Sequence, residues 1–307
     1  MSQATTTTAD RALLWSGESE CGKKIHGSHH TLQGLASIEA SSISQRNRKN
    51  FMRTAAETGL GRDKWYGTIN SINHARKYVS EGWREGADRA MSLVSDVYAK
   101  CTIPEPKDVR RTQVWSDEGD ELDYDKLMSG ELDTMYRTTK KEGRATFPTA
   151  TLLVNWGGLG SVKSGDLFWG GAVAIILTDI LENAGYRIEI VGCNTSSFSP
   201  TDDEGERYIA TSVAVKELDE PLRSDIVAGA LCEAGVFRTL GFMGKNAADS
   251  KVTSGYGSTR CLKKVGVDVC ESSPFSEDAF VVPHCRSMED ALEAIESVVK
   301  ELDERCG

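Results

Sequence analysis

The 307-residue sequence predicts an α/β fold with a mostly parallel sheet, one antiparallel edge strand and flanking helices. Two observations predict it. In the second half of the chain, short apolar strands alternate with helices, which is the pattern of strand–helix–strand units. The segments "YRIEIVGCN" and "RYIATSVAVKEL" are separated by a turn rich in Pro, Asp and Gly, so the second strand is expected to return antiparallel to the first. A mainly helical region is expected to precede this α/β part.

The first half of the chain has helical periodicity in its clearest segment. Residues 1–11 are Thr-rich and lack periodicity, which is typical of a disordered tail. Ser71 suits a helix N-cap, and a second helix follows the glycines of "EGWREG". The acidic run 117–125 lacks the ligand order of a calcium loop and is interpreted as a solvated turn. Residues 12–136 are therefore assigned to a mainly helical N-terminal region.

The second half of the chain carries the α/β domain, residues 146–307, after a charged linker at 137–145. Its first strand is "ATLLVNW", and its first helix spans residues 166–183. Near the end of the chain, "DAFVVPHC" is a strand. Ser287 is the expected N-cap of the final helix, whose apolar residues recur at helical spacing.

Composition and charge favour a cytoplasmic protein without a membrane segment. The net charge of −10 repels phosphate backbones, which disfavours nucleic-acid binding. The most apolar window, residues 170–181, is too short to span a bilayer, and the N-terminus lacks the pattern of a signal peptide. The eight cysteines include no C-x-x-C pair, so reduced thiols are expected.

The glycine-rich loop "GGLGSVKSG", after the first strand of the α/β domain, is the main candidate for a binding loop. It fits neither phosphate template, because the glycines do not lead directly into the helix and Val162 stands where a P-loop needs glycine. A structural turn that lets the helix pack close to the sheet is the alternative. Trp156 and Trp169 would suit a protein contact if they are exposed. The candidate binding residues at the ends of the first two strands are Asn155, Trp156, Ser161, Ser164, Asp166, Asn194 and Thr195.

The order of elements in this half resembles a von Willebrand factor A domain, in which a strand, a loop and a long helix precede a second strand and an antiparallel third. In that family the first strand ends in D-x-S-x-S, whose oxygens bind a divalent metal. Asn155, Gly157 and Leu159 occupy these positions here, so the family's ligands are missing. Ser161, Ser164 and Asp166 could supply oxygens for magnesium instead. Asp166 at a helix start also fits an interaction with the helix dipole.

Most of the chain from Trp65 to about residue 305 resembles an uncharacterised family of phage-encoded proteins. In that family a Trp-led helical segment with a G-W-x-E-G turn precedes an α/β half, which here includes "GGAVAIILTDILENAGYRIEIVG". The resemblance implies no activity. The matching residues are Trp65, Gly67, Gly82, Trp83, Glu85, Gly86, Asp123, Gly130 and Glu131.

Three further clusters carry alternative interpretations. Cys21 and the three histidines of residues 26–30 could bind a metal, although Gly- and Ser-rich surroundings favour a mobile surface segment. His284 and Cys285 end a strand and could form a Cys–His nucleophile, although buried structural thiols are the expected alternative. The basic residues 46–53 could contact nucleic acid or form a solvated helix face.

The architecture, together with the lack of a recognisable catalytic motif, favours a non-enzymatic protein–protein interaction or assembly module encoded by a phage. Because von Willebrand A domains commonly act with ring-forming ATPases or in larger assemblies, the resemblance implies an ATPase or a virion component as partner. The rival function is a metal- or nucleotide-dependent enzyme that uses the strand-end loops. A third is a nucleic-acid-binding accessory protein.

Overall fold

The structure of the chain, a computed structural model, comprises two compact units. The first is formed by Met1–Pro104 and Thr149–Gly307, and the second by Glu105–Pro148. The predicted tail 1–11 and the basic residues 46–53 lie outside the described residues. These are 12–18, 23–38, 65–98, 112–116, 121–130, 134–139, 148–198, 207–248, 259–260 and 279–306.

The described elements follow one another along the chain as strands interspersed with helices. The strands are β1 (Leu13–Glu18), β2 (Lys24–Thr31), β3 (Thr112–Ser116), β4 (Glu121–Leu122), β5 (Met135–Thr139), β6 (Thr149–Asn155), β7 (Arg187–Phe198), β8 (Arg207–Lys216), β9 (Thr259–Arg260) and β10 (Phe280–Val282). The helices are α1 (Leu32–Ser37), α2 (Ile72–Glu81), α3 (Arg84–Met91), α4 (Val94–Tyr98), α5 (Tyr124–Ser129), α6 (Phe168–Asn183), α7 (Ser224–Val227), α8 (Ala234–Val236), α9 (Phe242–Ala248) and α10 (Met288–Cys306).

The first unit contains a mixed sheet in the order β1-β2-β8-β7-β6-β10, with β9 paired to β7. β6 runs parallel to β7 and β10, and β2 runs parallel to β8. β7 and β8 are antiparallel, as the turn between them predicts. The parallel pair β2 and β8 therefore runs opposite to the parallel group β7, β6 and β10, and the two meet between β7 and β8. β1 and β9 pair antiparallel to β2 and β7.

The structure corrects two features of the predicted architecture. β8 is not an edge strand, because β2 pairs with its other side and β1 forms the edge. The N-terminal region is not mainly helical at its start, since it supplies both β1 and β2. The sequence of β2, "KIHGSHHT", has a single large apolar side chain, Ile25. Apolar and polar residues therefore do not alternate along it, and the usual sequence pattern of a strand is missing. The helices predicted after Ser71 and after "EGWREG" are present as α2 and α3.

The described residues also divide differently from the predicted domains. The predicted linker 137–145 lies inside the second unit, Glu105–Pro148, and the first unit is formed by the chain before and after that unit. Glu233, in the segment between α7 and α9, connects the two parts of the chain that form the first unit. Its buried carboxylate accepts hydrogen bonds from the Thr68 hydroxyl at 2.8 Å and from the Gly235 amide at 3.1 Å. The segment before α2 is thereby fixed to the C-terminal part of the same core.

Helix α6 is the central helix of this core. With the preceding 3₁₀ turn Ser164–Leu167 it forms a 20-residue stretch that is long and apolar enough to cross a bilayer, but most of it is buried within the protein. The stretch is longer than the apolar window 170–181. The bent pair Ser224–Cys232 and Ala234–Ala248, which turns by 61°, passes the same length and composition test when its halves are taken together. Gly171 lets α6 approach the first of these halves, since a Cβ there would lie 2.6 Å from Cys232 Sγ.

The second unit is a small antiparallel sheet in the order β3-β5-β4 with helix α5. β5 pairs with β3 through Thr112–Thr139 and with β4 through Glu121–Tyr136. Helix α5 directly follows β4 in the chain. The Asp123 amide donates a hydrogen bond to the Thr134 carbonyl at 2.8 Å, which fixes the start of α5 to the start of β5.

Candidate functional site: the strand-end loop and helix α5

The end of β6 lies beside the middle of β7, where Asn155 pairs with Cys193. β7 continues to Phe198, so the prediction that Asn194 and Thr195 follow the second strand is wrong, and both lie within it. The asparagines of the two strands bond within the fold. Asn155 Nδ2 donates to the Val282 carbonyl at 2.8 Å, and Asn194 Nδ2 donates to the Trp156 carbonyl at 2.7 Å. Both side chains are buried. These amides therefore tie β6 to its neighbours instead of facing a cleft.

The two tryptophans that flank the loop do not form an exposed pair. Trp156 is buried, its Nε1 donates to the Ala230 carbonyl at 2.9 Å, and its ring meets that of Phe237 edge to face at 5.3 Å. Trp169 is half-buried, with the Arg89 guanidinium 5.4 Å from its ring centroid. A protein contact through both tryptophans requires that both be exposed, and Trp156 is not.

The glycines of the loop permit close packing. Gly157 has φ +91°, which L side chains rarely adopt, and a Cβ at this position would overlap the Phe237 ring. A Cβ at Gly158 would lie 2.7 Å from Leu167 Cδ2. These positions thus need glycine for the fold itself, which supports the structural-turn interpretation of the loop.

Two carbonyls of the loop are acceptors for the protein's own side chains. Trp65 Nε1 donates to the Gly160 carbonyl at 2.9 Å. The buried Arg238 donates to the Val162 carbonyl at 2.6 Å and to the Trp65 carbonyl, and its guanidinium lies 4.4 Å from the Trp65 ring centroid. Burial lowers the pKa of Arg238 to about 10, so this group stays charged at neutral pH. Arg238 and Trp65 together hold the loop in place.

The residues proposed to bind magnesium lie at or near the protein surface. Ser161 is exposed, while Ser164 and Asp166 are half-buried on the 3₁₀ turn before α6. Among the described residues, no three His, Cys, Asp or Glu side chains are grouped so that they could hold a metal ion. Metal binding by this oxygen set stays a prediction. Thr195 is buried within β7, where it pairs with Ala210 and Arg260 in the sheet.

The histidines of residues 26–30 lie in an internal strand, so their assignment to a mobile surface segment is wrong. His29 Nδ1 lies 3.1 Å from Ser212 Oγ on β8, and Ser28 Oγ donates to the Gly244 carbonyl at 3.1 Å. Burial lowers the pKa of His29 and His30 to about 4, so both are neutral at pH 7. Cys21 lies outside the described residues. In this strand His30 is buried, and His26 and His29 are half-buried.

The Cys285 thiol has the environment of a structural cysteine. It is buried, and its Sγ lies 3.4 Å from the Pro283 carbonyl. Burial, with Asp290 and Glu293 nearby, raises the pKa of Cys285 to about 12, so the thiolate needed by a nucleophile is disfavoured. This supports the buried-thiol interpretation.

A cavity of about 550 Å³ lies beside the carboxyl ends of β2 and β8, at the end of the sheet opposite to the glycine-rich loop. Lys216 Nζ, in its lining, bonds to Glu182 Oε1 and to the Ile188 carbonyl, both at 2.7 Å. The buried cation of the cavity is thus already paired within the protein. The apolar lining comes from Leu32, Ala36, Val79, Val215, Pro221, Ile226 and Val227.

Helix α5 differs from all these features because its apolar side chains are exposed. Tyr124, Leu127 and Met128 are 70%, 47% and 85% exposed, and their i, i+3, i+4 spacing places them on one side of the helix. These three residues are called the α5 face. The sequence did not identify this face, since apolar residues are usually buried and its neighbours were assigned to a solvated acidic turn.

Both ends of α5 are closed by local caps. Asp123 Oδ1 accepts hydrogen bonds from the Asp125 amide at 3.0 Å and the Lys126 amide at 3.2 Å. Gly130 ends the helix with φ +79°, and its amide donates to the Leu127 carbonyl at 3.2 Å. The caps hold a six-residue helix that buries none of its own side chains. The α5 face is therefore presented on an ordered element.

Comparison with protein families places both the strand-end loop and the α5 face in one matched region. Residues 28–304 match the model of a Domain of unknown function (DUF7192). The chain belongs to this family. Neither the curated proteins nor the solved structures compared with it contain a significant match. The DUF7192 region includes both structural units, apart from the ends of the chain.

The DUF7192 region also contains a buried lysine that the sequence patterns did not single out. Lys245 lies on α9 with Nζ 2.5 Å from Ser196 Oγ, and the ring centroid of Phe237 is 5.2 Å away. Burial lowers the pKa of Lys245 to about 7. A neutral lysine beside a serine can act as a base. Because both side chains are almost fully buried, this arrangement gives a substrate no access to the serine.

Proposed function

We propose that this DUF7192 protein is a non-enzymatic protein–protein interaction or assembly module that binds its partner through the α5 face. The exposure of Tyr124, Leu127 and Met128 carries the proposal. Each square ångström of apolar surface left in water forgoes about 25 cal/mol of burial free energy. Clustered exposed apolar side chains therefore mark surfaces that another molecule covers.

The order of α5 adds to this argument. A surface that must fold on binding loses conformational entropy at that step, whereas a helix already fixed by its caps does not. Asp123 and Gly130 provide these caps, and the Asp123 amide also bonds to Thr134. The face is thus preorganised for contact.

The strand-end loop supports a binding module more than an enzyme. Ligand sites in α/β folds commonly form from loops at the carboxyl ends of strands. In this loop the polar groups of Asn155, Asn194, Gly160 and Val162 bond to the protein itself. The alternative enzyme that uses these loops would first have to break these bonds.

The class of partner comes from the resemblance to von Willebrand A domains. On that basis we propose a ring-forming ATPase or a virion component as the partner. From the separate resemblance to phage-encoded proteins we propose a phage origin for the chain and action in the host cytoplasm. The β6–α6–β7 unit with antiparallel β8 has the order of elements on which the resemblance to von Willebrand A domains rests.

Site-specific photo-crosslinking in cells that naturally produce the protein tests this function. A photoreactive phenylalanine derivative replaces Met128 in one chain and Leu159 in another. Leu159 is the matched control, since it is a large apolar residue 42% exposed in the first unit. We expect a discrete protein adduct from position 128 but not from position 159, and we expect Tyr124→Ala to remove it.

Two outcomes would contradict the proposal. One is the absence of any discrete adduct from position 128. The other is the same set of adducts from positions 128 and 159, which would indicate random collisions. Saturable turnover of a small molecule by the purified chain, unaffected by Tyr124→Ala, would favour an enzyme instead.

A further inference from the structure

We propose that the cavity beside the carboxyl ends of β2 and β8 binds a small molecule with an apolar body and a positively charged nitrogen. Its volume, its lining and the pairing of the charges around it carry this assignment. The lining shares no residue with the α5 face, so the two sites can be tested independently.

The cavity has the size and position of a ligand site. Its volume of about 550 Å³ lies within the range of roughly 300 to 1,000 Å³ typical of small-molecule pockets. It is bounded by α1, which directly follows β2, by α2, by the end of β8 and by the segment that leads into α7. Ligands of α/β folds commonly bind outside the carboxyl ends of parallel strands, and β2 and β8 are a parallel pair.

The floor of the cavity is apolar and its rim is polar. Val79, Val215, Ile226 and Val227 are buried beneath it, and Leu32 and Ala36 of α1 are half-buried at its side. The exposed residues of the rim include Gln33, Ser80, Glu220 and Arg223. A ligand that displaces water from such a floor gains free energy through an apolar body, and its polar group is directed to the rim.

The two cations of the lining are already paired within the protein. Lys216 Nζ bonds to Glu182 Oε1 and to the Ile188 carbonyl, both at 2.7 Å, and to the Glu217 carbonyl at 3.1 Å. These bonds use all three donors of the ammonium group. Arg223 forms an ion pair with Asp225 at 3.1 Å. An anionic ligand would therefore have to compete with the protein's own carboxylates.

The carboxylate of Glu220 differs from these groups, because it has no ion pair among the described residues. Its Oε2 accepts a hydrogen bond from the Glu217 amide at 3.3 Å. The exposed Glu217 carboxylate, on the same short segment, also lacks an ion pair in the described part of the chain. Two negative charges are thus uncompensated at this side of the rim, and a positive charge on the ligand lowers the electrostatic free energy.

Isothermal titration calorimetry of the full chain with three molecules of equal apolar length separates the classes of ligand. Octylamine is positively charged at pH 7, octanol is neutral and octanoate is negatively charged. We expect octylamine to bind saturably, octanol to bind about fivefold more weakly, and octanoate to bind more weakly still. Between about 50 and 500 mM NaCl, the affinity for octylamine should fall towards that for octanol.

Glu220→Gln tests the charge at the rim. It should lower the affinity for octylamine about threefold and leave the affinity for octanol unchanged. Glu296→Gln is the matched control, since it removes the same charge at an exposed position on α10, which contributes no residue to the lining. It should leave both affinities unchanged.

Ala36→Phe tests the location of the site, because the added ring occupies the cavity and should abolish binding of octylamine and octanol. Urea denaturation checks that this variant folds. Ser80→Phe fills the cavity from α2 and serves as the second variant.

Three results would overturn the proposal. Octanoate or octanol that binds as tightly as octylamine, or an affinity for octylamine that Glu220→Gln leaves unchanged, would overturn the positive charge of the ligand. The absence of saturable octylamine binding would overturn the site itself. Octylamine binding that persists in the folded phenylalanine variants would place the amine elsewhere on the protein.

Discussion

The glycine-rich strand-end loop directs its polar groups and glycines towards the protein's own side chains, whereas helix α5 directs its apolar side chains into solvent. In the loop, the Gly160 and Val162 carbonyls accept bonds from Trp65 and Arg238, and Gly157 packs against Phe237. In α5, the caps satisfy the backbone ends, but the apolar side chains lie in solvent. A loop with the sequence features of a ligand site can thus serve packing alone, while a short helix in an acidic segment presents the open surface.

This comparison separates two kinds of mutational effect. Changes in the loop should lower the free energy of unfolding, because its atoms contact the core of the first unit. Changes at the α5 face should lower partner binding and leave the free energy of unfolding almost unchanged.

Gly157→Ala should have the largest effect. The new methyl group would overlap the Phe237 ring, and the backbone would have to keep φ +91° with a side chain present. Strain and overpacking together should reduce the free energy of unfolding by about 3 kcal/mol. Urea denaturation followed by tryptophan fluorescence measures this change.

Gly165→Ala is the control for this substitution. It is the last residue of the same loop, and a Cβ there would meet no atom within 4 Å. Its free energy of unfolding should stay within about 0.5 kcal/mol of the original value. Equal stability of the two variants would mean that the loop does not pack tightly, and the contrast with α5 would fail.

The sequence predicted positions in the fold better than it predicted bonding partners. The β6–α6–β7 unit was predicted because apolar runs and helical spacing are local patterns. Asn155 ends β6 as predicted, whereas Asn194 lies within β7, and their acceptors lie 127 and 38 residues away in the chain. Whether a polar side chain faces a ligand depends on such distant groups, which a local pattern does not contain.

Strand β2 and helix α5 both show that the polarity of a segment does not by itself predict whether its side chains are buried. β2 is polar in sequence yet buried, because neighbouring strands and α9 supply partners such as Ser212 Oγ and the Gly244 carbonyl. Helix α5 has apolar residues that are exposed, against the usual tendency. Its caps, Asp123 and Gly130, were readable signals of a helix, but the exposure of its side chains was not.

The second prediction concerns the pH dependence of stability, because the lysine Lys245 on α9 is buried. Its folded pKa is about 7, while an unfolded lysine titrates near pH 10.4. Between these values the unfolded chain binds more protons, so the free energy of unfolding should rise with pH, by up to about 1.4 kcal/mol per unit. Lys245→Met should lose this contribution to the slope.

Urea denaturation from about pH 7 to pH 9 measures the slope of each variant. Groups other than Lys245 titrate in both chains, so the difference between the two slopes isolates this lysine. Tyr124→Ala is the control and should keep the original slope, because the α5 face is exposed. Parallel pH profiles for the original chain and Lys245→Met would show that the lysine is not held in a desolvated site.

The smallest effect on stability is expected for Tyr124→Ala combined with Met128→Ala. These side chains are 70% and 85% exposed, so their removal leaves little buried apolar area behind, and alanine has the higher helix propensity. The free energy of unfolding should change by less than about 0.5 kcal/mol, measured by urea denaturation. The same variant should lose the partner adduct, tested with the photoreactive residue at position 127. A loss of more than about 1.5 kcal/mol would instead make the α5 face a packing surface. In that case its exposure would no longer distinguish it from the strand-end loop.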